Sequence, residues 1–486
     1  MSSVTFIQAI RAHSALKPIL QGNEYGNRYL RPATIQEIHP ISKCFQRIQC
    51  SSIHYVGGSV YENVFDKISI NTTDHIFSKP NSRSNREWFL DVEKIKSVAH
   101  PAPFGKGSET VLDTNVRKAF EIKGGDLTVD YGEGFDKIQK ELQKLAPEGK
   151  VLVPKLYKLQ MYEVGGHFKR HRDTVHSTNH YGTLIVGLPT NEGYEGGEFV
   201  LYPPDREPVT IDLQVDHWQR RYAVFLTDLE HEVNEVTEGV RVVLQFDLYL
   251  EPASPTEGDK EHAPHAHEDD SDYDSDDPYS DRSHFEKDHV KLREPDSTDQ
   301  NLAKTDLLPL LDDFHQQHPG DNICFLLTHR YPLAITADNL RAADKVLFDM
   351  LVAPYEVELG LAINRIGDWG WDSPRGDRFH GQEQVFVMDF ERQMRMRKFI
   401  ETGEEPPRNN GRDPTEIDEG NETDDEASED GQSGPRTHLF FGSTAKWMKT
   451  HHEDYIEFTG NEAAAGQYVY ASIVLGLGPR RAQVEK

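Results

Sequence analysis

The sequence predicts a mainly β protein with α+β additions: a β sandwich or barrel between about residues 150 and 250, then a second α+β unit beyond residue 300. Three observations predict it. Six short β-rich segments (KLYKLQMYEV, YGTLIVGLP, GEFVLYP, EPVTIDLQ, RYAVFLTD and VRVVLQFDLYL) follow one another with only Gly, Pro or polar turns between them. Strands at that pitch without intervening helices build closed or layered sheets. Two acidic runs, 251–289 and 404–434, interrupt the folded pattern, and such composition cannot bury enough apolar surface to order itself. Between and after them, strand and helix patterns alternate.

The 486 residues, 36% apolar and 10% aromatic, suffice for about two to four domains. The expected organisation is an N-terminal extension, 1–130, packing on the core; a β domain, 131–250; an acidic disordered linker, 251–300; and a C-terminal α+β domain, 301–486, with a disordered acidic insertion at about 404–434. SSIHYVGGSVYENVFDKISI alternates like strand, and SETVLDTNVRKAFEI opens like a short helix. GFDKIQKELQKLAPEGK, 134–150, is an amphipathic helix with Phe135, Ile138, Leu142 and Leu145 on one face. DNICFLLTHRYPL, YEVELGLAINRIG and the final GQYVYASIVLGLGP read as strands, and NLRAADKVLFDMLVAP as a helix. The paired His451 and His452 read as part of a solvated polar helix or turn.

A net charge of −29 argues against general affinity for nucleic acid or anionic membranes, and no run approaches a membrane-spanning length. With only Cys44, Cys50 and Cys324 there is no disulfide framework and no CxxC zinc pattern; Cys44 and Cys50 are ordinary thiols or, in the alternative, a pair. Cytoplasm or nucleus is the expected location. The absence of an acid before Glu24 keeps mitochondrial import as the alternative.

The chemistry concentrates in GGHFKRHRDTVH, residues 165–176. His171 and Asp173 stand two apart, so on an extended segment both side chains point to one side. Two histidines and one carboxylate on one face of a metal form the usual facial triad of non-haem iron oxygenases. His231, directly after an apolar strand, supplies the second histidine. Arg241 lies ten residues on and opens the last strand. A cation facing a barrel interior needs an anion, either a protein carboxylate or a dicarboxylate co-substrate. His167 and His176 read as surface or supporting residues, His180 and His217 as ordinary loop histidines, and His262, His265 and His267 as part of a solvated run.

MYEVGGHFKRHRDT, HYGTLIVGLPTNEGYEGGEFVLYP and RYAVFLTDLEHEVNEVTEGVRVVLQFDL together resemble the 2-oxoglutarate/Fe(II)-dependent dioxygenases, in particular the prolyl 4-hydroxylase-like branch. The resemblance covers about residues 150–250. It implies a double-stranded β-helix (jelly-roll) core. It implies Fe(II) held by His171, Asp173 and His231, and the distal carboxylate of 2-oxoglutarate bound by Arg241. Tyr162 would line the co-substrate pocket near the metal-bound end, with Thr183 facing the same pocket. Gly196 and Gly197 would form the turn before GEFVLYP. The implied reaction uses Fe(II), 2-oxoglutarate and O2, with ascorbate in support. It converts 2-oxoglutarate to succinate and CO2 while hydroxylating a C–H of a protein or peptide, a prolyl residue as first guess. The alternative is a metal- and 2-oxoglutarate-binding scaffold or sensor acting through the C-terminal domain.

The sequence departs from the family in two places. Phe168 stands where relatives often carry tyrosine, and the strand after HxD lacks the tyrosine that in some relatives helps hold the distal carboxylate, leaving Thr183 or Tyr181 as second anchor. Asp173 argues against halogenation, which needs a small residue there. Asp247, six residues after Arg241, replaces the second arginine of nucleic-acid demethylases, so no nucleic-acid partner is expected.

Overall fold

The computed structural model describes residues 31–36, 38–50, 52–71, 74–78, 89–106, 109–190, 193–203, 207–214, 220–253, 297–329, 331, 335–367, 382–388, 394, 435–442, 451–457 and 465–481. The chain forms two compact units, one of residues 53–294, the other of residues 1–52 and 295–486.

In the first unit, eight of the ten described strands from Lys150 to Pro252 cross repeatedly between two sheets. Lys150–Tyr162 lies in the larger sheet, His167–His171 in the smaller, and His180–Leu188 in the larger again. Phe199–Tyr202 and Val209–Ile211 fall in the smaller sheet, Arg220–Leu226 in the larger, Glu230–Val233 in the smaller and Arg241–Pro252 in the larger. The larger sheet orders its members Arg220–Leu226, His180–Leu188, Arg241–Pro252, Lys150–Tyr162, all antiparallel. The smaller orders Val209–Ile211, Phe199–Tyr202, Glu230–Val233, His167–His171. This alternation is the double-stranded β-helix. Phe199, Leu201, Phe225, Val233 and Val243 fill the space between the sheets.

Residues 53–130 widen both sheets. Tyr55–Val60 pairs with Arg220–Leu226, Phe120–Lys123 with Lys150–Tyr162, and Arg117–Lys118 with His167–Phe168. The short helix expected from residue 108 does not form. Glu109–Val111 is a strand, and the Asp113 carboxylate accepts the Asn115 N–H at 2.9 Å, closing one turn that delivers Arg117 to the sheet edge. The amphipathic helix is present as Glu133–Leu142, continued by a 3-10 turn, Gln143–Leu145. It ends there because the Gln143 amide pairs with the backbone of Leu152, donating to its carbonyl at 2.9 Å and accepting its N–H at 2.8 Å. Phe135 of this helix, with Phe65 and Tyr131, packs against Phe246 on the outer face of the larger sheet.

The second unit corrects the expected N-terminal boundary. Arg31–Gln36 belongs to this unit, where it inserts between Thr437–Phe440, in parallel, and Gln382–Val387. Helix Pro40–Cys50 buries Ile41, Phe45 and Ile48 in one cluster with Leu311, Phe325, Leu347 and Phe440. Asn322–Leu326 pairs with both Thr437–Phe440 and Ala465–Arg480, closing six strands into a ring. Helix Ser297–Gln317 begins inside the expected linker, and helix Ala342–Val352 lies where its pattern placed it. His451 and His452 open a strand, His451–Glu457, not a helix or turn. The rest of the acidic runs, His217, and His262, His265 and His267 lie outside the described residues. No disulfide links Cys44, Cys50 or Cys324. Among the described residues no helix is long and apolar enough to cross a membrane.

Phe246 is fully buried between sheet and helix. Phe246→Ala is expected to lower unfolding free energy by about 3–5 kcal/mol, because the aromatic cluster cannot collapse into the space left; a urea titration checks it.

Candidate metal centre

Two short strands build the centre, and neither stood out as a separate strand in the sequence. His167–His171 and Glu230–Val233 pair antiparallel with His171 directly opposite His231. The ring centroids lie 4.2 Å apart. Asp173 follows the end of the first strand, its Oδ1 3.7 Å from His231 Nε2. One donor atom from each of His171, Asp173 and His231 falls within 4.8 Å of the others.

Backbone carbonyls aim both rings. His171 Nδ1 lies 2.7 Å from the Lys169 carbonyl, and His231 Nδ1 2.9 Å from that of Leu229. In each the Nδ1–H donates, which leaves the lone pair on Nε2. His231 is buried against Phe225 and Phe199, and Phe168 stacks on His171. Burial, with His231 adjacent, brings His171 down to about 3, so its imidazole is neutral and ready to ligate. Burial pushes the Asp173 carboxyl up, but the His231 and His171 rings and the Thr183 hydroxyl outweigh it and hold the group below its usual value. Thr183 donates to Asp173 Oδ2, so one carboxylate oxygen is tethered and Oδ1 is turned to the histidines.

The basic residues between the ligands brace the strand pair from outside. Arg170 and Arg172 both pair with Glu230, and Arg170 lies over the Tyr202 ring. His167 bonds to the Gly165 carbonyl and stays out of the centre. His176 donates to Asp247 at 2.7 Å. His180 is not a loop histidine: it opens the strand His180–Leu188, fully buried. Its Nδ1 accepts the His176 N–H and its Nε2 donates to the Gly182 carbonyl. With both nitrogens engaged by backbone, the group His176, His180 and Asp247 is a structural network.

On the same wall, Arg241 faces Tyr162 across the strand pair, its guanidinium 5.1 Å above the ring. Arg241 is 1% exposed, and its Nε and Nη2 meet no partner among the described residues. An unpaired buried guanidinium is costly, and a carboxylate is the group it fits. Tyr162 donates to Gln160 at 2.7 Å and lies beside the Arg241 guanidinium. Thr183, committed to Asp173, supports the carboxylate ligand.

Tyr194 is the residue that sequence reasoning missed. Burial pushes its phenol up to about 12, while the Arg241 guanidinium that it meets pulls the other way. Tyr194 arrives through the short hairpin in which Tyr194–Gly196 pairs with Val236–Gly239. Gly196 and Gly197 form the expected turn, both at positive φ. A Cβ on Gly197 would lie 2.9 Å from Val236 and 3.1 Å from Arg241 Cδ, so the glycine makes room for the arginine.

Comparison with known proteins agrees with this geometry. Residues 157–248 match the model of the 2OG-Fe(II) oxygenase superfamily. No curated protein matches the chain. Among solved structures, the chain is similar to a prolyl hydroxylase from Trichoplax adhaerens in complex with a hypoxia inducible factor oxygen degradation domain peptide fragment (19% identity, 32% of this chain and 73% of that one, TM-score 0.24). It is also similar to a Pseudomonas putida prolyl-4-hydroxylase (18%, 32% and 80%, TM-score 0.21). A third is a 2OG-Fe(II) oxygenase family oxidoreductase from Burkholderia pseudomallei (14%, 33% and 78%, TM-score 0.21).

Thr183→Val removes the donor to Asp173. Fe(II) affinity is expected to fall about 10–100-fold, with Thr183→Ser restoring it, as read by competition with a chromophoric chelator. The bond to Asp247 raises His176 above its ordinary value against the effect of burial. A raised histidine stabilises fully below its unfolded value of about 6.5 and loses that contribution as pH rises through the folded value. The stability difference between wild type and His176→Gln is therefore expected to be largest below about pH 6.5 and to shrink as pH rises, in melts across that range.

Proposed function

We propose, from a domain of the 2OG-Fe(II) oxygenase superfamily, that this dioxygenase hydroxylates a C–H bond of a protein or peptide, a prolyl residue first among candidates. The convergence of two Nε2 lone pairs and one tethered carboxylate oxygen carries the reading of the site. That donor set suits Fe(II), and the orphaned donors of Arg241 suit the distal carboxylate of 2-oxoglutarate. Bound together, iron, 2-oxoglutarate and O2 supply the oxidation, giving succinate, CO2 and a hydroxylated substrate carbon.

The chain's own residues position these reactants. His171, Asp173 and His231 would hold the metal. The neutral His171 imidazole need lose no proton to bind. Arg241 orients the co-substrate. Tyr162 and Tyr194, flanking the guanidinium, keep water from it and so strengthen its attraction for a carboxylate. The ordered set of Tyr162, HxD, Gly-Gly-Glu, His231 and Arg241 supports the prolyl 4-hydroxylase-like branch, and with it a peptide substrate.

An anaerobic titration with Fe(II) and then 2-oxoglutarate is expected to raise a visible iron-to-keto-acid charge-transfer band. Arg241→Ala is expected to require far more 2-oxoglutarate for the same band, and His171→Ala, Asp173→Ala and His231→Ala to abolish it along with succinate formation. Full activity in any triad variant would refute the ligand assignment. Prolyl peptides incubated with the loaded enzyme and O2 are expected to gain one oxygen atom by mass spectrometry. Turnover confined to non-peptide substrates would overturn the substrate class and leave the chemistry standing.

A further inference from the structure

The second unit holds a cluster of donors that the oxygenase chemistry does not use. His318 and Asp321 follow helix Ser297–Gln317, and His438 lies on the strand Thr437–Phe440. Asp321 and His438 are 117 residues apart in sequence, yet His438 Nε2 lies 2.8 Å from Asp321 Oδ2. His318 Nδ1 approaches the same oxygen at 3.8 Å. One donor atom from each of the three falls within 4.8 Å of the others.

The surroundings orient these donors as they would ligands. Asp321 Oδ1 accepts the Arg436 N–H at 2.9 Å, which turns Oδ2 toward both imidazoles. His438 Nδ1 lies 3.1 Å from the Gln36 side-chain amide. Gln36 Nε2 donates to Nδ1, so the ring proton of His438 sits on Nε2 and faces Asp321 Oδ2, and a metal bound there would displace it. Phe314 packs against both rings. The side chains of His438 and Asp321 are 5% and 14% exposed and that of His318 is 41% exposed, so the group is half sheltered with one open side.

We infer that His318, Asp321 and His438 form a second metal site, which takes a divalent transition-metal ion, zinc by the chemistry of the donors. Two imidazoles and one carboxylate are a borderline set suited to Zn(II) and poor for Mg(II) or Ca(II). A hydrogen-bonded His–Asp pair alone explains the 2.8 Å contact. It does not explain why a second imidazole converges on the same carboxylate oxygen while the other oxygen is held by backbone. A metal here joins the end of a helix to the strand Thr437–Phe440, which pairs with Arg31–Gln36 and Asn322–Leu326. Its role is structural: it favours the folded state by mass action.

The test uses the full chain carrying His171→Ala and His231→Ala, so that the oxygenase centre takes no zinc. After chelator stripping, Zn(II) is titrated in competition with a chromophoric chelator, and melts are recorded with and without zinc. One tight equivalent and a zinc-dependent rise in Tm are expected. Adding His318→Ala, at the open side chain, is expected to weaken that equivalent by more than about 100-fold, beyond the loss of an outer partner, and to remove the rise in Tm. Asp321→Asn should do the same, guarding against misfolding of either variant. No zinc retained in the competition would overturn the proposal. Undiminished retention after both substitutions, which would place zinc elsewhere in the chain, would overturn it too.

Discussion

The register of one strand pair governs the oxygenase centre. His167–His171 and Glu230–Val233 run antiparallel with His171 facing His231. A one-residue slip would turn each histidine to the opposite side of the sheet. Several constraints hold the register from outside the metal. Glu230 binds Arg170 and Arg172, Phe168 sits opposite Val233, and Val233 belongs to the apolar layer between the sheets. Exposed ion pairs contribute little stability alone; their value here is in choosing one alignment among near alternatives. Since each ring is also tied by Nδ1 to a carbonyl two residues back, the backbone of each strand sets the direction of its own ligand.

The co-substrate end depends on a different device, close approach. Arg241 enters the interior beside Tyr162 and Tyr194. Its side chain passes Gly197, where a Cβ would crowd it at 3.1 Å, and Gly197 holds a positive φ that favours glycine. Gly196 and Gly239 share that conformation in the same hairpin, and at each a Cβ would lie 2.2 Å from a backbone carbonyl. The GYEGG run, residues 193–197, is thus a packing requirement of the arginine and of the strand that carries it.

The parts of the fold legible in sequence were those with local signals. Short apolar, β-rich runs mark the strands of the larger sheet, and His171 and His231 meet because their strands are neighbours. What was not legible is nonlocal. Arg31–Gln36 finds its partners about 400 residues on, and no periodicity within RPATIQ indicates which sheet it joins. Likewise His438 meets Asp321 across an acidic run. Tyr194 was missed because its importance comes from the hairpin that carries it to Arg241, not from its neighbours in sequence. SETVLDTN misled because Asp113 supports a helical first turn, and the same carboxylate closes a single turn when strand pairing of Arg117 competes.

Phe168 shows how a departure from the family pattern alters the physics of the centre. Lacking a hydroxyl, it lies flat on His171 and carries the Arg117 guanidinium 4.7 Å from its ring centre. This stack excludes water from His171, which is why burial depresses that imidazole to about 3. Arg117 and Lys158 share one carboxylate, Glu121, and burial lowers Lys158, with Arg117 acting in the same direction. After burial, the neighbouring His231 ring lowers His171 most, and Arg117 adds a smaller push in the same direction. The ligand therefore stays neutral far below neutral pH. His176, paired to Asp247 and outside the triad, is instead raised above its ordinary value. The domain thus separates two demands on histidine, a constant donor for the metal and a pH-sensitive structural bond, by burying one ring beside a second imidazole and giving the other a carboxylate.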